Sequence, residues 1–353
     1  MAAYTTIDDP SAYFKVQLYT GTGSSHAVSF NDTDTNMQPD MVWIKQRSDT
    51  NDHNLFDAVR GTGKLIRPNG TNAEGDTSEG VKSFDSDGFT CGTNSSLNGS
   101  TSTYVAWCWK AGTTSGITTT GANITPSAYS MNATSGISII KYEGNGTDGT
   151  NTAHALGAVP HVIICKRLEN SNYWAVYHHK NTSAPNTDYL VLNATDATSD
   201  AGLWKDTDPT SVYFRHDNST SVNANGEDMV AYLFTSIQGF SKFGKYTGNV
   251  NADGVFIYLG FKPALFIVKE TGNAEPWVMY DNRRGEYGNA NPNDQHLVAS
   301  GTAVESSGTA IDFLSNGVKI RSNAGHLNEG DYIYMAWAET PFVNSNGVPC
   351  NAR

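Results

Sequence analysis

Charge is scarce in this chain. Only 16% of its 353 residues are Asp, Glu, Lys or Arg, against about 25% in an average soluble domain. Coiled coils and long solvated helices need charge on their outer faces and are excluded. No amphipathic helical pattern runs longer than about two turns. Apolar runs are short too. None approaches the roughly 18 residues of a membrane span, so no membrane insertion is expected. The opening Met1-Ala2-Ala3-Tyr4-Thr5-Thr6-Ile7-Asp8-Asp9 has no basic region and no apolar region. It does not read as a signal peptide, and the chain is expected to fold in the cytoplasm where it is made. Cys91, Cys108, Cys165 and Cys350 form no CxxC and no metal-ligand spacing. A Cys91–Cys108 bridge would be unusual in a reducing compartment. Walker, GxSxG and HExxH motifs are missing. The balance of 35 acidic against 23 basic residues, a net charge of −12, repels phosphate backbones and argues against nucleic-acid partners.

Thr, Ser, Asn and Gly fill the place of charge, and they favour turns and edges over helices. Aromatics stand at 11%, enough for a core and too many for charge-driven disorder. Short β-branched or aromatic runs such as Asp188-Tyr-Leu-Val-Leu-Asn193 and Ser211-Val-Tyr-Phe-Arg-His216 lie between turn residues. Asp87-Gly88, Asn98-Gly99, Asn225-Gly226 and Asn316-Gly317 are turn dipeptides. The composition and pattern predict an all-β chain.

Internal repetition is the strongest signal. Tyr19-Thr-Gly, Tyr142-Glu-Gly and Tyr246-Thr-Gly open three segments. Further on come Pro39-Asp-Met-Val-Trp-Ile-Lys45, Pro160-His-Val-Ile-Ile-Cys-Lys166 and Pro263-Ala-Leu-Phe-Ile-Val-Lys269, each with lysine six residues after proline. Fourteen residues after the prolines stand His53, Trp174 and Trp277, and eighteen after stand Asp57, His178 and Asp281. The segments are read as closing on Tyr104-Val-Ala-Trp107, Met229-Val-Ala-Tyr232 and Tyr334-Met-Ala-Trp337. This register predicts three tandem antiparallel β-sandwich, jelly-roll-like units over residues 12–112, 136–238 and 239–343. An arm at 1–11, a flexible Thr/Ser/Gly linker at 113–135 and a polar tail at 344–353 complete the expected layout. The run after each proline is apolar on both faces and reads as a central strand.

Few residues invite a chemical reading. Asp57 with Arg60 and Asp281 with Arg284 recur at one structural position, so a local ion pair is the better explanation than catalysis. Asn31-Asp-Thr-Asp-Thr-Asn36 starts like a calcium loop but lacks the glycine and the terminal glutamate; a hairpin tip is expected. His178 and His179 are adjacent on a strand, point to opposite faces and cannot chelate one ion together; a solvated pair is expected. No catalytic residue, cofactor or metal site is assigned. Trp43, Trp107, Trp174, Trp277 and Trp337 sit on repeat anchors and read as core. Trp204 lies off the pattern in a polar stretch of the second unit, where an exposed indole could stack on a sugar. Trp204, His178 and His179 are therefore the candidate glycan contacts, with loop anchoring as the competing role for Trp204.

The phrases Tyr-Thr-Gly-Thr-Gly at 19–23, Pro-Asp-Met-Val-Trp-Ile-Lys at 39–45, Phe-Asp-Ala-Val-Arg-Gly at 56–61, Ser-Asp-Gly-Phe at 86–89 and Tyr-Met-Ala-Trp-Ala-Glu-Thr-Pro-Phe at 334–342 resemble repeat-containing virion proteins of tailed marine bacteriophages. The resemblance spans nearly the whole chain and implies concanavalin-like or jelly-roll sandwiches. It implies a non-enzymatic virion protein, a tail-fibre or appendage component in host attachment. A head-decoration fibre, a neck or tail accessory protein and a glycan-depolymerising tailspike are the alternatives. The partners it implies are other virion proteins, further copies of the chain (a trimer, by analogy) and host surface glycan.

Overall fold

The computed structural model describes residues 3–30, 34–285 and 291–350. It is nearly all β, with antiparallel pairing between its strands. The two α-helices described, Ser95–Asn98 and Gly325–Asn328, are single turns. No helix among the described residues is long and apolar enough to cross a membrane.

One sheet topology occurs three times. Phe14–Thr20 pairs with Thr103–Trp109, which pairs with Met41–Gln46, which pairs with Asn54–Asp57. Ile137–Glu143, Asp228–Phe234, Val162–Arg167 and Ala175–His178 follow in the same order, as do Ser241–Thr247, Asp331–Pro341, Phe261–Glu270 and Val278–Asp281. The strand at or after each proline is thus flanked on both sides. In the first repeat its alternation serves two cores. Val42 and Ile44 face a smaller sheet (His26–Ser29, Gly88–Cys91, Val81–Asp85), while Met41 and Trp43 face a core shared by all three repeats.

Each lysine six residues after the proline is buried and donates to the carbonyl of its successor: Lys45 to Gln46 at 2.7 Å, Lys166 to Arg167 at 2.6 Å, Lys269 to Glu270 at 2.5 Å. Burial lowers all three ammonium groups to about 8. The lysine closes the turn leaving the strand, which is why the six-residue spacing holds.

Three expectations are corrected. The third closing anchor is two residues earlier than the sequence pattern suggests. Trp43 pairs with Trp107, Ile164 with Tyr232, and Ile267 with Met335, so Trp337 corresponds to Trp109 and Phe234. The turn before the third closing strand is shorter, and aromatics at both positions made the slip invisible. Residues 113–135 are not a bare linker. Ala128–Asn132 forms an edge strand beside Ile137–Glu143, Thr113 bridges to Met131, and Ile124 is buried and bridges to Thr152. Nor is 1–11 a detached arm. Ile7 is buried in the shared core, Thr5 donates to the Gln238 carbonyl at 2.8 Å and Tyr4 to that of Gly260 at 2.9 Å. In the tail, Ser345 bonds both carboxylate oxygens of Asp8.

Candidate functional site

The repeats close into a ring, and the ring explains most of the recurring residues. Trp174 of the second repeat donates its indole N–H to the carbonyls of Arg67 and Gly70 in the first, at 3.0 and 3.1 Å. Trp277 of the third donates to Val191 of the second at 2.9 Å. His53 of the first lies 3.1 Å from the Val298 carbonyl of the third through Nε2. Its Nδ1 accepts from Trp43 Nε1, so Nε2 carries the proton. A main-chain bond beside each joint repeats the cycle: Glu74 N to Leu168 O, Thr198 N to Thr271 O, and Glu305 N to Arg47 O, at 2.7, 2.9 and 3.0 Å. Trp109, Phe234 and Trp337, one from each repeat, meet with ring centroids 5.3, 5.4 and 6.5 Å apart.

The residues eighteen after each proline lie at these seams. Tyr232 donates to Asp57 at 2.6 Å and Trp107 to Asp281 at 3.0 Å. Arg60 and Arg284 pair with the same carboxylates at 2.6 and 2.5 Å, fully buried. The Asp-x-x-Arg element is a buried structural joint. Its replacement in the second repeat follows from the partner strand. Met335 stands where the other strands carry Tyr232 and Trp107, and it offers no donor. His178 reverses the polarity: Nδ1 accepts from Lys180 N at 3.1 Å, and Nε2 faces the Tyr334 carbonyl at 3.2 Å.

Of the candidate glycan contacts, Trp204 and His178 are buried and His179 is half-buried. Trp204 is 2% exposed; it packs edge-on against Tyr177 and donates to the Asp188 carbonyl at 3.1 Å. It anchors its loop because the polar stretch around it folds back over the second sandwich core. His178 is buried, with its imidazole pushed down to about 3 by desolvation. His179 donates to Phe243 O at 2.9 Å and stacks on His161 at 4.0 Å; burial lowers it to about 4. The two histidines belong to the seam between the second and third repeats, and Trp204 to the second sandwich core.

Sequence reasoning missed one recurring group. Asn98, Asn223 and Asn328 are buried, and each bonds the main chain of its repeat's opening loop. Their Oδ1 atoms accept from the backbone N–H of Thr22, Asn145 and Asn249 at 2.8, 2.8 and 3.0 Å. They stand 77, 79 and 80 residues behind the opening glycines Gly21, Gly144 and Gly248, and that near-constant spacing was the available signal.

Two open clefts lie between the first and second repeats. One, about 280 Å³, is lined by Arg60, Lys64, Glu74, Asp76, Lys141 and Asp228 among others. Its ion pairs are Arg60–Glu74, Lys64–Asp76 and Lys141–Asp228. The other, about 350 Å³, has Asp40 and Tyr129 in its lining. The cavity at the centre of the ring is apolar and only about 20 Å³. Among the described residues no group of three His, Cys, Asp or Glu could hold a metal. The cysteines are free: Cys91, Cys108 and Cys165 buried, Cys350 exposed. Residues 31–33 of the acidic run lie outside the described residues.

The fold is all-β, and its recurring side chains form joints between the repeats. Residues 9–341 match the family described as Domain of unknown function (DUF7483), and the chain belongs to that family. No curated protein and no solved structure matches it.

Proposed function

We propose that the protein is a non-enzymatic structural component of a bacteriophage virion, a tail-fibre or appendage protein serving host attachment. The observation that carries this reading is the closed ring. The recurring His53/Trp174/Trp277 and Asp57/His178/Asp281 positions are used in packing between repeats. A chain whose recurring side chains hold it together is suited to load-bearing. The polar Thr/Asn/Ser composition and low charge suit an extracellular appendage, and the resemblance of its phrases to phage virion proteins supplies the context. Any further copies of the chain, such as a trimer, would meet through its outer surface, because the seams are occupied. Other virion proteins are the immediate partners, and host surface glycan is the attachment target.

Purified particles would be analysed by mass spectrometry and by labelled antibody in electron microscopy. The expected result is the chain in intact particles, with label on the tail or its fibres. Its presence in the lysate and absence from washed particles would overturn the proposal.

A further inference from the structure

The smaller sheet of each repeat has a strand along one edge: His26–Ser29 in the first, Thr150–Ala153 in the second and Phe256–Tyr258 in the third. The three match residue for residue. Ser29 pairs with Gly88, Ala153 with Tyr213 and Tyr258 with Gly317. The next residue donates its N–H to the carbonyl before that partner: Phe30 to Asp87 at 3.3 Å, His154 to Val212 at 2.9 Å and Leu259 to Asn316 at 2.8 Å. Ala27, Asn151 and Phe256 are therefore equivalent, as are Ser29, Ala153 and Tyr258. Alternate residues of an antiparallel pair turn their main-chain groups away from the partner, so these six present theirs to the free edge.

In the second repeat the chain itself fills that edge. Ile124 bridges in parallel to Thr152. Asn151 O accepts from Asn123 N and Ile124 N at 2.7 and 3.0 Å, Ala153 N donates to Ile124 O at 2.9 Å, and Asn151 N donates to Asn123 Oδ1 at 2.9 Å. Ile124 is buried against the second sandwich core. In the third repeat the corresponding groups, Phe256 N, Phe256 O and Tyr258 N, have no hydrogen-bond partner among the described residues. Lys242 Nζ donates to Tyr258 O at 2.7 Å and closes that end of the edge.

The side chains differ as well. The first repeat has Ala27 and Ser29, the second Asn151 and Ala153. The third has Phe256 and Tyr258, 46% and 49% exposed, the only aromatics among the large exposed apolar side chains of the described residues. Two residues apart on a strand, they share a face. An unpaired edge beside exposed aromatics is what a sheet that accepts a further strand offers, with main-chain bonds for affinity and side chains for selectivity.

We propose that Phe256–Tyr258 is a docking edge for an extended, uncharged segment of another protein, which adds as a parallel strand. Its bridging residue is aliphatic, in the place of Ile124, and bonds Phe256 O and Tyr258 N. The residues on either side of it point outward against Phe256 and Tyr258. The second repeat supplies the pattern for the occupant, in the corresponding register and from a stretch, 119–128, without a charged residue. That stretch is engaged within its own chain, so the occupant comes from a different protein. The proposal stands on this edge alone and does not depend on where in a particle the protein sits.

The test uses the full chain and a synthetic peptide of residues 119–128, with its Ile124→Asp form as comparator. Calorimetry should give a Kd of about 1 mM or tighter for the first peptide and binding weaker by about tenfold or more for the second. Amide exchange followed by NMR should show the Tyr258 N–H protected by the peptide and the Ser29 N–H, at the equivalent position of the first repeat, unchanged. Tyr258→Pro removes an N–H that the ladder to Gly317–Ile320 does not use and should abolish binding, whereas Tyr258→Val should keep it within about threefold. Should Tyr258→Pro fold poorly, exchange at Tyr258 in the unaltered chain still decides the matter. No binding of the peptide, protection of Ser29 in place of Tyr258, binding that survives Tyr258→Pro in the folded protein, or dimers of the chain alone that protect Tyr258 would overturn the proposal.

Discussion

Tyr232 and Trp107 each reach across a seam to a carboxylate that already holds a buried arginine. Asp57 and Asp281 are wholly buried, so each needs its full set of donors. Removing one donor leaves a buried acceptor short of a partner, which costs about 1–3 kcal/mol. Tyr232→Phe keeps the ring and removes only the hydroxyl. It should lower stability by about that amount, read as a shift in the urea midpoint at constant slope. Tyr13→Phe, at a half-buried tyrosine, should change it far less. Equal midpoints for the two variants would show that the seam contact contributes nothing.

At the scale of the element, the opening strands end in a glycine that the fold cannot enlarge. A Cβ at Gly21 would sit 2.2 Å from the Gly99 carbonyl oxygen, one at Gly144 2.2 Å from that of Ala224, and one at Gly248 2.3 Å from the carbonyl carbon of Asn328. Each loop lies against the main chain that its buried asparagine also clamps. The glycine of the Tyr-x-Gly phrase is therefore there for close approach of two backbones. Gly144→Ala should force that clamp apart and destabilise by about 1–3 kcal/mol, as overpacking does. Gly272→Ala meets nothing within 4 Å and should be neutral. Thermal melts of the two variants compare them directly, and a Gly144→Ala melt as high as the Gly272→Ala melt would contradict the close-approach argument.

Across the whole molecule, the histidines at the seams are held neutral. Desolvation holds His53 and His178 down to about 3 and His179 to about 4. An unfolded histidine titrates near 6.5. Above that pH both states are neutral and the contribution to stability is complete. As the pH falls from 6.5 towards 4 the unfolded chain takes up protons that the folded chain refuses, and stability is lost. The loss is about 1.4 kcal/mol per pH unit for each histidine that stays neutral on folding. Urea midpoints should therefore fall steeply between pH 7 and pH 4.5, as the seams carry several such groups. A flat profile over that range would show that these imidazoles are protonated in the folded protein.

The all-β class, the central strand after each proline, and the buried roles of Trp43, Trp107, Trp174, Trp277 and Trp337 were legible in the residues, because local propensity and period-2 burial act over a few positions. So was the structural role of the Asp-x-x-Arg element, since one position used twice points to packing. Three-dimensional placement decided the rest. The tandem layout gave no sign that His53 meets Val298, because ring closure joins residues far apart in the chain. Polar neighbours in sequence left Trp204 between an exposed indole and a loop anchor, and what folds over the side chain decided for the anchor. The cleft beside Asp40 and Ser130 was invisible for a related reason. Both residues are ordinary in their own strand or turn, and only the docking of an edge strand against an open corner brings them to one cavity.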